Sequence, residues 1–465
     1  MSSATSTPQK ATDSASPPSV GATPTGPTGK PMTAKELKKM KRAAQVAARG
    51  PPAVDHAAPG LASPNASAAA SPAASAGPSG GTSRHRRGIA AAAAAASAPP
   101  PPPNPAHQFF SHLPVPRDPH TPDALASDKI HPVVVRLGVL IAQGTLRGAS
   151  ARTLGVLEAF REVVHDYECP PKAVFWKDFS SHISPMIAYL ETCRPKGVGV
   201  GNAIRWFKGV ITRLGEDDGD HIPVATAEAS QKAYLTEAIN SYIQDNIIVA
   251  GQVIADFAKE KIKAGDTVVV YARSSVVERS LLEAYRDMQA RSPPASFSVV
   301  VVDSRPLHEG RTTLATLSAA GIPCMYTLLP LASTALSRAS LVLLGGSSLN
   351  SDGALHSRAG TAVVAMLAKE HRVPVVACIE AFKLSERVGL DDLASNEVGT
   401  PDSLLNIPTA RALELPKPLP KNLIPLHLLY DLTPPDHITA VCTEVGFIPP
   451  SSVPTLLSKG AGLSA

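Results

Sequence analysis

No aromatic residue occurs before Phe109, while 18 of the chain's 45 prolines fall in residues 1–110, among tracts such as SPNASAAASPAASAGPSGG. Such a stretch buries too little apolar surface to offset the entropy of ordering it, so residues 1–107 are expected to form a disordered, low-complexity tail. Long hydrophobic runs are missing as well. No apolar stretch of about 18 residues is present to cross a bilayer, and no basic-then-apolar leader opens the chain. Cysteine is scarce: Cys169, Cys193, Cys324, Cys378 and Cys442 are odd in number and never at metal-ligand spacing, which excludes a disulfide framework and a zinc cluster. Cys324 and Cys378 lie in apolar runs and are expected to act as small hydrophobes. These absences point to a reducing compartment, the cytosol, with no membrane partner and no metal.

The net charge of +5 is modest, and much of the basic character is local, in KELKKMKR (Lys35–Arg42) and RHRR (Arg84–Arg87). A solvated tail and an RNA contact are both compatible with such runs.

From His131 to Lys263 the pattern is helical. RTLGVLEAFREVVHDY places Leu154, Leu157, Phe160 and Val164 on one helix face. YLTEAINSYIQDNIIVAGQVIADFAKEKI keeps the period long enough to connect two domains. In ETCRPKGVGVGNAIRWFKGVI, Pro195 and the glycines break one helix, and Asn202 is expected to cap the next. About five helices and no strand are expected, forming a helical domain over residues 108–263. After Gly265 the period changes. TVVVYA, FSVVVVD, PCMYTLL, SLVLLGG and VPVVACIE are short apolar runs separated by helical stretches such as VVERSLLEAYRDMQA and TAVVAMLAKEH. Strands without polar alternation, separated by helices, predict a parallel sheet covered on both faces. Residues 264–465 are therefore expected to form a doubly wound, Rossmann-like α/β domain, with ligands at the carboxyl ends of its strands.

Those ends carry the candidate site. Arg273, Ser274 and Ser275 follow the first strand where a helix begins, which suits either an anion or simple capping. Asp303 and Arg305 end the second strand, with Glu309 beyond, and the pair can brace a loop or do chemistry. The fourth strand leads into GGSSLNSDGALHSRAGT, a turn-rich loop with Asn350, Asp352, Gly360 and Thr361, able to hold a phosphate on its amides. His356 is its only imidazole, readable as a surface residue or as a general base. No Walker lysine-serine pair and no GxGxxG spacing occur, so no nucleotide or other cofactor is expected.

VVDSRPLHEGRTT, AAGIPCMYTLLPLAS and ASLVLLGGSSLNSDGALHSRAGTAVVAMLAKEHRVPVVACIEAFKLSERV together resemble the homologous alpha, beta and delta regulatory subunits of eukaryotic translation initiation factor 2B. HPVVVRLGVLIAQGTLRGASARTL, CRPKGVGVGNAIRWFK and LLYDLTPPDHITAVCTEVGFIPPSSVPTLL look most like the delta branch, and the resemblance runs from about His131 to Leu457. It implies a regulatory core of alpha, beta and delta chains beside a catalytic epsilon chain stimulated by gamma, in a decamer with two copies of each subunit in which the delta chain pairs with a beta chain through the α/β domains. That core would bind initiation factor 2 and sense phosphorylation of its alpha subunit.

The family shares its fold with isomerases acting on methylthioribose 1-phosphate and ribose 1,5-bisphosphate. Those enzymes carry a catalytic Cys in a pattern similar to T-H-C-N-A-G, and a catalytic Asp in N-G-D before a G-T pair. Against VYARSS the Cys position falls on Ala272, and counting back from Gly360 and Thr361 the Asp falls on Ala354. Enediol chemistry needs a proton-transferring group on each side of the substrate, and alanine transfers none. A non-catalytic chain is therefore expected, with Asp303 and Arg305 as relics of the shared D-x-R-P element that pair with each other or face a neighbouring subunit. The alternative is an isomerase with a relocated catalytic pair, using Asp352. Under the regulatory reading, Arg136, Arg147, Arg152 and Arg205 are candidate partner contacts, since arginine suits phosphate and carboxylate. Phe382, Leu384, Leu428 and Val445 are candidate subunit contacts.

Overall fold

The computed structural model describes residues 110–114, 129–215, 228–389, 395–405, 423 and 425–458. The expected tail at 1–107, with both basic runs, lies outside these residues. The helical period resolves into α1 (Pro132–Ala142), α2 (Ala149–Asp166), α3 (Phe175–Cys193), α4 (Val198–Arg213) and a long run made of α5 (Glu228–Tyr242), a π-helical turn (Ile243–Val249) and α6 (Ala250–Lys259). His131 starts α1, its side chain accepting from Val133 N ahead of Pro132 at the first turn. Asn202 does not cap α4. Gly197 holds that position, and Asn202 lies a turn inside the helix.

The long run serves two cores. Leu235, Ile239, Tyr242 and Ile243 pack among the helices, whereas Ile254, Ala258 and Ile262 pack beneath the sheet. The π turn falls between them, where the apolar stripe must change the direction it faces.

The strands, in chain order, are β1 (Thr267–Tyr271), β2 (Ser298–Asp303), β3 (Cys324–Leu328), β4 (Leu341–Gly345), β5 (Ser348–Asn350), β6 (Leu355–Arg358), β7 (Val375–Cys378), β8 (Leu384–Ser385), β9 (Tyr430–Thr433), β10 (Ala440–Thr443) and β11 (Gly446–Ile448). Seven form one sheet in the order β11-β10-β7-β4-β1-β2-β3, and β8-β5-β6-β9 form a second. The large sheet is parallel except at β11, and β1 lies between β2 and β4, with Val269 opposite both Val300 and Val342. Alternate valines point to opposite faces. Val269, Val300 and Val342 meet the layer containing α9 (Ala332–Leu336) and α10 (Thr361–Glu370), while Val268, Val299 and Leu341 meet that of α6, α7 (Ser275–Arg291) and α8 (Gly310–Ala319). Covering both faces explains why these strands read as unbroken apolar runs.

One side chain departs from its own half. Phe382, just after β7, is fully buried among the helices, and a Cβ on Gly199 of α4 would lie 2.8 Å from its ring. Asn202 anchors the same segment, its amide donating to the Phe382 and Leu384 carbonyls at 2.9 Å each.

Candidate functional site

Strand order reverses between β1 and β4, and a parallel sheet opens a crevice at such a point. Ala272 leaves β1 with φ 52°, a left-handed conformation held by its N–H donating to Val302 O at 2.9 Å. Ser274 follows at the N-cap of α7 but makes no side-chain cap bond. A Cβ on Gly345 would collide with the Ser274 side chain, so only glycine lets β4 approach this close. The turn from Gly144 to Gly148 and the first residues of α2 close the crevice from the helical side. The resulting cavity, about 450 Å³, is also lined by Arg273, Ser275, Glu309, Arg358, Lys383 and Tyr430.

Asp303 does not enter it. The carboxylate is 1% exposed, accepting from Ser304 N at 2.9 Å and from the Tyr326 hydroxyl at 3.0 Å, with Gly310 packed against it. Arg305 points to solvent, so neither expected partner for Asp303, Arg305 or another subunit, is available to it. Its partner comes instead from the next strand. Burial pushes the Tyr326 hydroxyl up, and the adjacent Asp303 carboxylate adds to the effect.

Of the cations lining the crevice, Arg358 and Lys383 are met by carboxylates of the same chain, whereas Arg147 donates to the Gly144 carbonyl. Glu309 holds Arg358 in a two-pronged pair at 2.8 and 2.7 Å. Lys383 and Glu380 pair at 2.6 Å, both nearly buried, and Ser150 Oγ donates to Glu380 at 3.0 Å. Glu397 receives Arg152 at 3.4 Å and Arg194 at 2.5 Å. Arg194 also donates to the Tyr430 hydroxyl at 3.1 Å, and the Arg358 guanidinium lies 4.9 Å from the Tyr430 ring. At the start of α10, Asp431 accepts the Gly360 and Ala362 amides at 2.6 and 3.0 Å, filling with its own charge the position an anion would take. Thr361 donates to Arg358 O.

The candidates from the sequence therefore separate. Arg273, Ser274, Ser275 and Glu309 are brought together around the cavity. Asp352 is not: its carboxylate accepts from Ala354 N at 3.0 Å and braces the turn between β5 and β6. His356 is a β6 residue, not part of a loop; it stacks on Tyr430 at 4.7 Å, and burial pushes its imidazole down to about 4. Arg136, Arg147 and Arg205 are exposed on the helical half. Arg152 is no partner contact, because it is 4% exposed and held by Glu397 and by Pro195 O. Burial lowers its guanidinium below the ordinary value, and Arg194 beside it lowers it further.

Phe382 and Leu384 are likewise unavailable as subunit contacts, being interior side chains of this chain. Leu428 is partly buried, bridging Val398, and Val445 is exposed in the turn between β10 and β11. Sequence reading missed Arg194, Arg358, Glu380, Lys383, Glu397 and Tyr430. Two of these signals were present: Arg358 stands in SRAGT beside the glycine-threonine pair, and Glu380 with Lys383 forms an i, i+3 pair of opposite charge.

Among the described residues, no His, Cys, Asp and Glu cluster could hold a metal ion, and no helix is long and apolar enough to cross a membrane.

The profile of the initiation factor 2 subunit family matches residues 145–450. The translation initiation factor eIF2B subunit delta of Schizosaccharomyces pombe is 39% identical over 355 residues, 75% of this chain and 73% of that protein. A crystal structure of the tetrameric eIF2B-beta2-delta2 complex from C. thermophilum contains a chain with 32% identity and a TM-score of 0.62, covering 72% of this chain and 97% of that one. The ribose 1,5-bisphosphate isomerase of Pyrococcus furiosus is more distant, 25% identical over 319 residues, 68% of this chain and 90% of that protein.

Proposed function

Because the chain belongs to the initiation factor 2 subunit family, we propose that it is a regulatory, non-catalytic subunit of the delta type. In this role it assembles with alpha, beta, gamma and epsilon chains into the guanine-nucleotide exchange factor for translation initiation factor 2, in the cytosol. The observation that carries the reading is the crevice. It keeps the architecture of a strand-end ligand site, yet buried alanines, Ala272 and Ala354, stand at both positions where the related isomerases transfer protons. Arg358 and Lys383 are already paired from within, and Asp352 is committed to the Ala354 amide. The relocated-pair isomerase therefore finds no support in the geometry.

Residues 1–107, 108–263 and 264–465 divide the chain into tail, sensing domain and assembly domain in this proposal. Arg136, Arg147 and Arg205 offer phosphate-binding side chains on the helical face, and Leu428 and Val445 offer contacts to sister subunits. Asp303, Glu309, Thr361 and Asp352 brace loops. Regulation follows from differential affinity: the phosphorylated alpha subunit of initiation factor 2 binds one arrangement of the core more tightly and shifts its population.

Affinity purification of the full chain from cells tests the reading. Stoichiometric recovery of the four sister chains, with initiation factor 2, is expected, whereas a free homodimer overturns it. Purified chain is expected to turn over neither ribose 1,5-bisphosphate nor methylthioribose 1-phosphate, and turnover abolished by Asp303→Asn would reinstate the isomerase.

A further inference from the structure

Two cysteines meet in the core of the α/β half. Cys378 ends β7, and Cys442 stands on β10 directly opposite it in the parallel register. Both side chains are buried on one face of the sheet, in the cluster that holds Ile254, Leu343 and Val376. The Cys442 thiol donates to Ile254 O at 3.8 Å, and the Cys378 thiol is hydrogen-bonded to Cys442. That contact and burial hold the Cys378 thiol well above its ordinary value, so in the closed fold it stays protonated and unreactive. Neighbouring strands lie about 4.8 Å apart, inside the Cα separation that a disulfide spans.

Each sulfur lies two residues before a carboxylate that holds the seam between the halves. Beyond Cys378 comes Glu380, which pairs with Lys383 and accepts from Ser150 on α2. Beyond Cys442 comes Glu444, whose two carboxylate oxygens accept from Ala381 N at 3.1 and 3.0 Å. Between them, Ile379 N donates to Cys442 O at 3.0 Å. The segment clamped in this way carries Phe382 into the helical core and offers the Phe382 and Leu384 carbonyls to Asn202. A small movement of these two strand ends therefore reaches the contacts that join the halves. Sheet order supplies the access route. β10 is one strand from the edge and is paired there with the three-residue β11, so local opening of that hairpin lets a small oxidant reach Cys442.

We propose that Cys378 and Cys442 form a reversible redox switch that sets how tightly the seam is held. In a reducing compartment the pair rests as a dithiol. Hydrogen peroxide is the oxidant: the Cys442 sulfur attacks one peroxide oxygen, the O–O bond breaks, and a sulfenic acid forms as water leaves. The Cys378 sulfur then attacks the sulfenic sulfur, forming the S–S bond, and its proton departs with the hydroxyl as a second water. Two electrons have passed from the thiols to the peroxide, and a small dithiol returns them by exchange. Closing the bond brings the sulfurs to about 2.0 Å, nearer than two thiols in contact, so the ends of β7 and β10 shift and carry Glu380 and Glu444 with them.

The test exposes the full-length chain to hydrogen peroxide, alkylates it, digests it without reductant and reads the peptides by mass spectrometry. A Cys378–Cys442 linked peptide that disappears on adding dithiothreitol is expected, and it should form faster in sub-denaturing urea, which opens the sheet edge. In the oxidised chain, hydrogen exchange over residues 379–385 and α4 is expected to quicken on the order of tenfold, whereas Cys442→Val exchanges alike with and without peroxide. Cys378→Ala serves the same comparison should Cys442→Val fail to fold. Cysteines that stay free, over-oxidise to sulfinic acid or pair elsewhere overturn the switch, and a disulfide that leaves exchange unchanged overturns its hold on the seam.

Discussion

The helical half and the α/β half bury themselves with different side chains. Among the helices the core is rich in rings: Phe160 stacks on Phe207 at 5.6 Å, and Tyr167 meets Phe179 edge-on at 5.0 Å. Around the sheet the core is valine, leucine and alanine, layered on both faces. Rings concentrate stability in a few shape-specific contacts, whereas β-branched residues spread it along a register that each strand repeats. The two cores are then joined through a borrowed ring, Phe382, the Asn202 amide on the carbonyls beside it, a shared helical run, the Ser150–Glu380 bond and the ion pairs around Glu397.

The most severe test of that contrast is Phe382→Ala. The ring is fully buried, and its removal is expected to cost about 4 kcal/mol in urea unfolding. Hydrogen exchange should show both halves losing protection together, and loss confined to the helices would mean that the ring does not couple them. Val301→Ala, at the centre of β2 and equally buried, is expected to cost less, about 2.5 kcal/mol, because fewer carbons are removed and the sheet register persists. A cost equal to that of Phe382 would erase the distinction between the cores.

The smallest effect lies at the seam. His356 has its imidazole at about 4 against an ordinary 6.5, so the unfolded chain binds a proton between those values and the folded chain does not. Above pH 6.5 both states are neutral and no penalty exists. As pH falls towards 4 stability is lost, and the loss levels off below that, reaching no more than about 2 kcal/mol once partial solvent access is allowed for. His356→Phe keeps the stacking on Tyr430 and is expected to flatten that pH window in thermal melts. A slope left unchanged would assign it to another group.

Much of the architecture was legible before any coordinates. Each of the five apolar runs contains a strand, and the strands begin and end within two residues of the runs, because a sheet covered on both faces leaves a continuous apolar signature. The long helical stretch reads as one period, whereas the structure interrupts it with the π turn at Ile243–Val249. The site was less legible. Arg152 reads as a surface cation and is a buried one, because its partner Glu397 lies 245 positions away. Asp303 reads as a ligand-facing carboxylate, but strand pairing places Tyr326 beside it.

Composition and period, being local, determined that the chain has a helical half and a parallel α/β half, and the sequence puts alanines, Ala272 and Ala354, where the resemblance sets the isomerase catalytic pair. Which carboxylate meets which cation, which apolar side chains are interior and which cysteines meet on neighbouring strands were decided only when the sheet order brought distant segments together. Burial and charge pairing belong to neighbours in space, and a linear pattern of one chain does not contain them.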